Sequence, residues 1–336
     1  MTSMITEIES SPSRYARLLG VGSYRPGRVV GNEEICRFID SDSAWIEARS
    51  GIMTRHFAEP GETVPVMAAR AAEKALSAAG LTPADVSCVT LCTMSYLHQA
   101  PPAAAACAAE LGARGAAAFD LGAACAGFSH GLAVAGSLVA SRQAEYVLVV
   151  GAERMSDIVD PYDRSTAFIF GDGAGAAVVG PADEPGIGRA VWGTDTDHLR
   201  AIEQSRSFAE LREDRLVRWP FLEMAGQEVF RWAIGAVGEV CERALRAAGV
   251  TVHDIEAFIP HQANVRIIDA AVKAMGLPAS VEVARTVRDD GNVSGASIPL
   301  ALDTLIAAGR IRPGALVLTA GFGSGLSYSA QVLVAP

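Results

Sequence analysis

A cysteine flanked by small residues is the strongest candidate nucleophile in the sequence. Cys125 stands in DLGAACAGFSHG, between a segment that predicts a strand and one that predicts a helix. At a helix start the positive end of the helix dipole favours thiolate over thiol, and a thiolate can take up an acyl group covalently. The small neighbours leave space for a substrate. On this segment alone, a buried structural cysteine is the open alternative.

Two further polar residues and a glycine-rich loop stand at similar junctions. His261 ends the apolar run in FIPHQAN, and Asn292 lies in the glycine-rich turn of DDGNVSGASIP just before a predicted helix. In TAGFGSGLSYSA (319–330) a strand enters a loop whose backbone N–H groups could reach a ligand oxygen. Singly, these have plainer interpretations as a hydrogen-bonded histidine, a turn residue and a tight turn. Their joint occurrence with Cys125 favours a catalytic site.

An internal repeat indicates how such residues come together. Residues 73–86 (EKALSAAGLTPADV) and 242–255 (ERALRAAGVTVHDI) are identical at eight of fourteen positions, at an offset of 169. VLVVG (147–151) matches the LVLTAG around 317–321 at an offset of 170. Alternating helical and β-branched segments predict an α/β protein, and the two collinear matches predict similar halves with a ligand site between them. We predict a flexible tail (1–15), an N-terminal half (16–183) and a C-terminal half (184–336), joined near 181–188.

The composition and charge exclude several classes of protein. The chain has 336 residues, half of them apolar, and a formal net charge of −10. The charge disfavours non-specific nucleic-acid binding, so an anionic ligand would need a local basic patch. No apolar run is long enough to cross a membrane, and the polar N-terminus lacks the apolar core of a signal peptide. The six cysteines show no CxxC spacing, so we expect a cytoplasmic protein with reduced thiols.

Four segments resemble those of the β-ketoacyl-[acyl-carrier-protein] synthase III family: AACAGF with Cys125, PHQAN with His261, GNVSGASIP with Asn292 and GFGSGLS with Ser324. The resemblance extends from about Leu18 to the C-terminus. It includes DSAWIEARSGI (42–52), DPYDRSTAFIFGDGAGAAVV (160–179) and MAGQEVFRWA (224–233). It implies an α/β protein with the thiolase fold, in which duplicated βαβαβ halves form five layers in the order α-β-α-β-α.

The resemblance implies an acyltransferase that needs no metal and no redox cofactor. Cys125 would take the acyl group from an acyl-CoA. Malonyl on an acyl carrier protein would then lose CO2, and the resulting carbanion would attack the Cys125 thioester, which initiates fatty acid or polyketide synthesis. His261 and Asn292 would stabilise the enolate as neutral donors, and the backbone N–H groups of Cys125 and Ser324 would hold the oxyanion of the condensation step.

The resemblance also assigns binding residues. Trp45 would stack the CoA adenine, with the nucleotide end near Arg49 and Arg164. The pantetheine tunnel would be lined by Gly226, Phe230 and Asn264. Acyl carrier protein would dock on Arg231, Arg266 and Lys273, although an ordinary solvated helix face is an equal interpretation of Arg231 and Lys273. The acyl pocket would include Phe322 and Ala100, and the family implies a homodimer.

Two departures from the family pattern bear on this assignment. Ser324 stands where many relatives have glycine, in a loop that can require unusual backbone angles. Ala100, in LHQAPPA (97–103), stands where some acetyl-preferring members place a phenylalanine that closes the acyl pocket across the dimer interface. Alanine there predicts a deeper pocket that accepts longer or branched acyl-CoA primers.

Two other enzyme classes stay open. GFSHG (127–131) fits the G-x-S-x-G elbow of a serine esterase with Ser129 as nucleophile, but Ser129 would then lie about one turn inside the predicted helix. A non-condensing acyltransferase of the same fold would use Cys125 and His261 but would need no decarboxylation site. The presence of Asn292 favours condensation over this alternative. GDGAGA (171–176) and GFGSGL (321–326) lack the G-x-G-x-x-G spacing of a dinucleotide site, and the other histidines lack metal-ligand spacing.

Overall fold

The computed structural model describes residues 14–213 and 218–336. The predicted tail reaches residue 15, but Tyr15 already belongs to the first strand, and residues 1–13 lie outside the described residues. The strands are β1 (Tyr15–Tyr24), β2 (Arg28–Gly31), β3 (Thr54–Phe57), β4 (Cys88–Cys92), β5 (Ala117–Asp120), β6 (Val147–Arg154), β7 (Asp172–Ala182), β8 (Val191–Thr194), β9 (Ile202–Gln204), β10 (Leu222–Met224), β11 (Ala257–Pro260), β12 (Glu282–Val283), β13 (Leu316–Gly323) and β14 (Ser327–Val334). The α-helices are α1 (Asn32–Ile35), α2 (Ser43–Ser50), α3 (Val64–Ala79), α4 (Ala103–Leu111), α5 (Gly127–Ala140), α6 (Phe208–Glu213), α7 (Gly226–Ala248), α8 (Val265–Met275), α9 (Val287–Asp290) and α10 (Ser297–Ala307).

Two five-stranded sheets have the same strand order and the same strand directions. The first runs β5-β4-β6-β7-β1 and the second β12-β11-β13-β14-β8. In each, three parallel strands are followed by two strands that run antiparallel to their neighbours. The first sheet uses residues 15–182 and the second residues 191–334, so their strands lie on opposite sides of the predicted junction. The boundary between residues 183 and 184 itself stays a prediction.

Three hydrophobic clusters hold five layers together, one on the outer face of each sheet and one around the central helices, which confirms the predicted fold class. Helices α3 and α4 pack on the outer face of the first sheet, and α7 and α8 on the outer face of the second. The central layer consists of α5 and α10, whose buried residues, among them Phe128 and Leu302, pack against strands from both sheets. On β6, Val147 and Val149 face this central layer while Leu148 and Val150 face α3, because side chains alternate along a strand.

The repeated sequence forms equivalent elements in the two halves. Residues 73–86 contain the end of α3 and lead into β4, and residues 242–255 contain the end of α7 and lead into β11. Gly80 and Gly249 end the two helices with φ of 69° and 71°, a left-handed conformation that glycine adopts without a steric penalty. The repeat therefore reflects a shared helix–turn–strand unit.

The chemistry-bearing segments lie where strands end and the central helices begin. Cys125 lies between β5 and α5, His261 directly follows β11, Asn292 precedes α10, and Ser324 follows β13. An isolated parallel bridge between Phe170 and Asn292 links the two halves at this level. Within the described ranges, none of the helices combines the length and apolar character needed to cross a membrane.

Candidate active site

A cavity of 670 Å³ collects residues from both halves of the fold. Cys125, His261 and Asn292 all line it, so the structure brings together the three residues that the sequence predicts to be catalytic. It is also lined by ten further predicted residues: Trp45, Arg49, Arg164, Gly226, Phe230, Arg231, Asn264, Arg266, Phe322 and Ser324. A cavity of 820 Å³ at the C-terminal end of α5 contains none of the predicted residues.

Cys125 lies in a 3-10 turn (Ala124–Ala126) that leads directly into α5. Its side chain is buried, and Sγ donates a hydrogen bond to Ser294 Oγ at 3.3 Å. Burial raises the pKa of the Cys125 thiol to about 12, although the Ser294 contact acts in the opposite direction. The predicted effect of the helix N-terminus is therefore outweighed by burial, and the sulfur rests as a thiol.

His261 is held as a neutral hydrogen-bond donor. Its Nδ1 lies 2.7 Å from Ser297 Oγ, and this hydroxyl accepts the backbone N–H of Gln262 at 3.3 Å. The hydroxyl proton is thus available for donation to Nδ1, which assigns the ring hydrogen to Nε2. Burial lowers the pKa of His261 to about 3. The ring is therefore uncharged near neutral pH.

Asn292 has its amide orientation fixed by its neighbours. Its backbone N–H donates to the Ile169 carbonyl at 2.9 Å, and its own carbonyl accepts the Gly171 N–H at 3.1 Å. The side-chain Oδ1 accepts the backbone N–H of Ser294 at 2.8 Å. Because Oδ1 is occupied in this way, Nδ2 is the group that Asn292 can offer to a ligand in the cavity.

The glycine-rich loop approaches Cys125 closely. A Cβ atom on Gly323 would lie 2.8 Å from Cys125 Cβ and 3.1 Å from both its Sγ and its backbone nitrogen, so this position has no room for a side chain. Ser324 tolerates its place because it does not take a positive φ, which in this loop falls on Gly325 at 128°. The Ser324 hydroxyl donates to the Ile202 carbonyl at 2.7 Å, which ties the loop to β9.

The predicted nucleotide-binding residues form one cluster at the cavity. Asp42 caps α2 by accepting the Trp45 N–H at 2.8 Å, and the Trp45 ring packs edge-on against Phe168 at 5.2 Å. The guanidinium groups of Arg164 and Arg49 lie 4.6 Å and 5.6 Å from the Trp45 ring centroid. This cluster supplies the local positive charge that an anionic ligand needs on a chain of net charge −10.

The remaining predicted binding residues divide into two groups. Arg266 lies over the Phe230 ring at 5.0 Å at the cavity, whereas Asn264 uses its side chain to cap α8 and to donate to the Arg49 carbonyl at 3.2 Å. Lys273 is exposed on α8 and Ala100 is exposed in the loop before α4, and neither lines the cavity. The roles assigned to all of these residues stay predictions.

Sequence reasoning missed the groups that support the three residues predicted to be catalytic. Ser294 and Ser297 both lie in the GNVSGASIP segment, where their spacing from Asn292 was the available signal. Part of the apolar lining of the cavity was also missed, because its members come from separate elements: Met94, Ile202, Leu222, Met224 and Val229.

The esterase alternative has no support in the geometry. Ser129 lies within α5, is fully buried and does not line the cavity, and its hydroxyl has no hydrogen-bond partner among the described residues. A serine nucleophile needs both a base and access to substrate.

Comparison with known proteins places the chain in one family. Residues 119–196 match the family model for 3-oxoacyl-[acyl-carrier-protein] synthase III, and residues 245–335 match the model of its C-terminal part. A β-ketoacyl-[acyl-carrier-protein] synthase III from Streptomyces glaucescens is 51% identical over 322 residues, covering 96% of this chain and 97% of the relative. A mycobacterial β-ketoacyl-[acyl-carrier-protein] synthase III from Mycobacterium tuberculosis is 45% identical, covering 99% of each chain.

The fold agrees with this assignment. The crystal structure of a priming β-ketosynthase from a polyketide biosynthetic pathway matches with a TM-score of 0.97 at 49% identity, covering 98% of this chain and 99% of that one. The 3-oxoacyl-[acyl-carrier-protein] synthase III from Aquifex aeolicus matches with a TM-score of 0.88 at 35% identity, covering 95% and 99%. The chain belongs to the β-ketoacyl-[acyl-carrier-protein] synthase III family, acyltransferases of the thiolase fold.

Proposed function

We propose that this chain condenses an acyl-CoA primer with malonyl-[acyl-carrier-protein] to give a 3-oxoacyl-[acyl-carrier-protein], CO2 and CoA. The observation that carries the proposal is that a neutral His261 and the Asn292 amide line the same cavity as Cys125. Two uncharged donors suit an enolate better than an acid would, because they stabilise the developing oxyanion without protonating it.

In the loading half-reaction, Cys125 Sγ attacks the acyl carbonyl carbon, and CoA leaves as the carbon–sulfur bond to it breaks. Negative charge develops on the carbonyl oxygen, where the backbone N–H groups of Cys125 and Ser324 act as donors. The room for this attack depends on Gly323, since any side chain there would contact the sulfur.

In the condensing half-reaction, malonyl loses CO2 and charge builds on its thioester oxygen. His261 Nε2–H and Asn292 Nδ2–H donate to that oxygen, and the carbanion attacks the Cys125 thioester. This chemistry uses no metal and no redox cofactor. The role of Asn292 distinguishes the proposal from a non-condensing acyltransferase, which has no enolate to stabilise.

Both substrates would enter through the Trp45 side of the cavity. The Trp45, Arg49 and Arg164 cluster would bind the nucleotide of CoA by stacking and charge. The phosphopantetheine arm would pass Gly226, Phe230 and Asn264. Arg231 and Arg266 at the cavity, with Lys273 seven residues along α8 on the same helix face, would hold an acidic carrier protein.

The acyl primer would occupy the apolar part of the cavity. Side chains of Met94, Ile202, Leu222 and Phe322 line it, and the unbranched Met94 side chain can adapt its shape to the acyl group. With alanine at position 100, a partner subunit would not fill this space with an aromatic ring. Longer or branched acyl-CoAs are therefore the proposed primers.

The proposed homodimer has a candidate surface on the first sheet. β5 is an edge strand, and Phe119 on it and Leu97 in the loop between β4 and α4 are exposed large apolar residues. An exposed strand edge with apolar side chains is normally covered in a native protein. Pairing of two β5 strands would cover both and would bring the Ala100 loop to the partner subunit.

Intact-protein mass spectrometry tests the proposed function. The wild type incubated with acetyl-, butyryl- or isobutyryl-CoA should gain one acyl group, and Cys125→Ala should gain none. Addition of malonyl-[acyl-carrier-protein] should then discharge the adduct with release of CO2. No adduct with any acyl-CoA would contradict the proposal. An adduct that malonyl-[acyl-carrier-protein] does not discharge would favour a non-condensing acyltransferase.

A further inference from the structure

Arg55 is one of the largest fully buried side chains among the described residues, and the mechanism above does not use it. It lies on β3, which pairs with β2. Burial lowers the pKa of its guanidinium group to about 10, so the group stays positively charged near neutral pH. Removing a charged group from water is costly unless the group is well hydrogen-bonded, so the contacts of Arg55 must account for its position.

Three neutral oxygens accept hydrogen bonds from the Arg55 guanidinium group. Nη2 donates to the Phe168 carbonyl at 2.6 Å. Nη1 donates to Asn32 Oδ1 at 2.9 Å and to the Val30 carbonyl at 3.4 Å, whereas Nε has no hydrogen-bond partner among the described residues. Asn32 is itself fixed, because its Nδ2 donates to the Ile52 carbonyl at 2.8 Å. The shortest of the Arg55 contacts therefore joins a buried charge to the backbone of a distant segment.

The segment that Arg55 holds, residues 168–171, is hydrogen-bonded directly to Asn292. The backbone N–H of Asn292 donates to the Ile169 carbonyl at 2.9 Å, and the Gly171 N–H donates to the Asn292 carbonyl at 3.1 Å. Both hydrogen-bonding groups of the Asn292 backbone therefore depend on where this segment lies.

The stem of the Arg55 side chain packs where these two parts of the chain meet. A Cβ atom on Gly171 would lie 3.0 Å from Arg55 Cβ, and one on Gly291 would lie 3.1 Å from it. Gly291 directly precedes Asn292 and has a φ of 69°, which glycine adopts without a steric penalty. The two glycines let both backbones approach Arg55 closely. A change of side chain at position 55 therefore acts on both sides of the Asn292 backbone.

We propose that Arg55 is a positioning residue for the decarboxylation step: its guanidinium group fixes residues 168–171, and these residues fix Asn292. This rests on the proposed function, in which Asn292 Nδ2–H donates to the enolate oxygen. Arg55 itself does not line the cavity, so it acts through the segment that it holds. Donors to a developing oxyanion must be held in place before the reaction, so a small displacement of Asn292 slows this step.

A purely electrostatic role of Arg55 predicts a different pattern of variants. A buried positive charge would favour negative charge in both half-reactions, so its removal would slow acyl loading and decarboxylation alike. It would also act whether or not the Asn292 amide is present. Positioning predicts that removal of the guanidinium group slows decarboxylation alone. It also predicts that this loss disappears once position 292 has no amide to hold in place.

The test measures CO2 release from malonyl-[acyl-carrier-protein] by enzyme already acylated on Cys125, in Arg55→Met, Asn292→Ala and their double variant. Arg55→Met should be about 10-fold slower than wild type and Asn292→Ala about 100-fold slower, and the double variant should match Asn292→Ala within about 2-fold. Independent effects would multiply to about 1,000-fold. Acyl loading of Arg55→Met, followed by quenched-flow mass spectrometry, should stay within about 3-fold of wild type. Loading is measured at saturating butyryl-CoA, because the Phe168 ring packs on Trp45 and a shift there would weaken CoA binding.

The matched control is Leu76→Ala in α3, at a buried residue that does not line the cavity. It should lower the melting temperature and leave CO2 release within about 3-fold of wild type, which separates loss of stability from loss of positioning. If Arg55→Met does not fold, Arg55→Lys takes its place in the same cycle with Asn292→Ala. Lysine keeps the positive charge but offers one ammonium group instead of a planar fork.

Hydrogen–deuterium exchange tests the contact without substrate. In the Arg55 variant, peptides that contain Gly171 and Asn292 should exchange about 10-fold faster than in wild type, with no equal rise in β6. If wild type releases no CO2 from malonyl-[acyl-carrier-protein], the proposed function fails, and this exchange still tests whether Arg55 holds the segment. Three results would overturn the positioning role: wild-type CO2 release in the folded Arg55 variant, a loss that multiplies with that of Asn292→Ala, or unchanged exchange at Gly171 and Asn292.

Discussion

Replacing Gly323 by alanine should disable acyl loading while the fold survives. The added Cβ would lie 2.8 Å from Cys125 Cβ and 3.1 Å from Sγ. Real contacts at Cβ are rarely this short, so either β13 or the Cys125 turn must shift by several tenths of an ångström. The Gly323 φ of 178° is extended, so the change brings no backbone strain of its own. Overpacking of this kind costs about 1–3 kcal/mol of stability.

The catalytic loss should exceed the loss of stability. A displacement of the order of 1 Å at a reacting atom costs about 100-fold in rate, and the same shift moves the Ser324 N–H away from the developing oxyanion. We expect Gly323→Ala to take up the butyryl group of butyryl-CoA on Cys125 about 100-fold more slowly, as measured by quenched-flow mass spectrometry. Alkylation of Cys125 by iodoacetamide should also be slower.

The matched control is Gly61→Ala, where an added Cβ meets no atom within 4 Å. It should load at the wild-type rate. Urea denaturation of both variants separates folding from chemistry. If Gly323→Ala loads within about 3-fold of wild type, Gly323 does not limit access to the sulfur and the reasoning about this loop is wrong.

Three further predictions concern the donors and the substrate site. In the folded chain the pKa of His261 is about 3, below its ordinary value of 6.5. Between these two pH values the folded chain therefore binds fewer protons than the unfolded chain, so the free energy of unfolding falls as pH falls. Urea unfolding should show wild type losing about 2 kcal/mol more than His261→Asn between about pH 7 and pH 5; equal losses would contradict the neutral assignment. Asn292→Asp, which replaces a donor by an acceptor, should slow malonyl decarboxylation by about 100-fold or more and leave acyl loading within about 3-fold, so a proportional loss in loading would refute its role. Trp45→Ala should raise KM for acyl-CoA about 10-fold at an unchanged kcat, consistent with about 1 kcal/mol or more from stacking and cation–π contacts, whereas Phe38→Ala, at an exposed aromatic residue that does not line the cavity, should leave KM unchanged.

The sequence was sufficient to predict the architecture and three residues, Cys125, His261 and Asn292, that the structure places in one cavity. The repeat at residues 73–86 and 242–255 predicts a helix, a glycine that ends the helix and a strand that follows. A short stretch of sequence is enough to specify each of these features. Cys125, His261 and Asn292 were recognisable because each follows or precedes such an element. Their meeting in one cavity follows from the pseudo-twofold arrangement of the halves.

The groups around these residues could not be read in the same way. Arg55 lies in a short strand, and two of its hydrogen-bond partners, Asn32 and Phe168, are far apart along the chain. The protonation states also depend on burial, which no local pattern encodes. The position of Cys125 at the N-terminus of α5 favoured a thiolate. Burial raises the pKa of the thiol, however, and reverses that conclusion.

Burial shifts the pKa values of Cys125 and His261 in opposite directions, but both shifts favour the uncharged form of the side chain. It raises the pKa of the thiol and lowers that of the imidazole, so both rest uncharged. An ion pair of thiolate and imidazolium would place a positive donor at the malonyl oxygen, and that donor could protonate the enolate before carbon–carbon bond formation. A neutral pair avoids this quenching, but it deprives Cys125 of an imidazole base. The same burial that makes His261 a suitable enolate donor therefore leaves the Cys125 thiol in need of another proton acceptor during acyl loading.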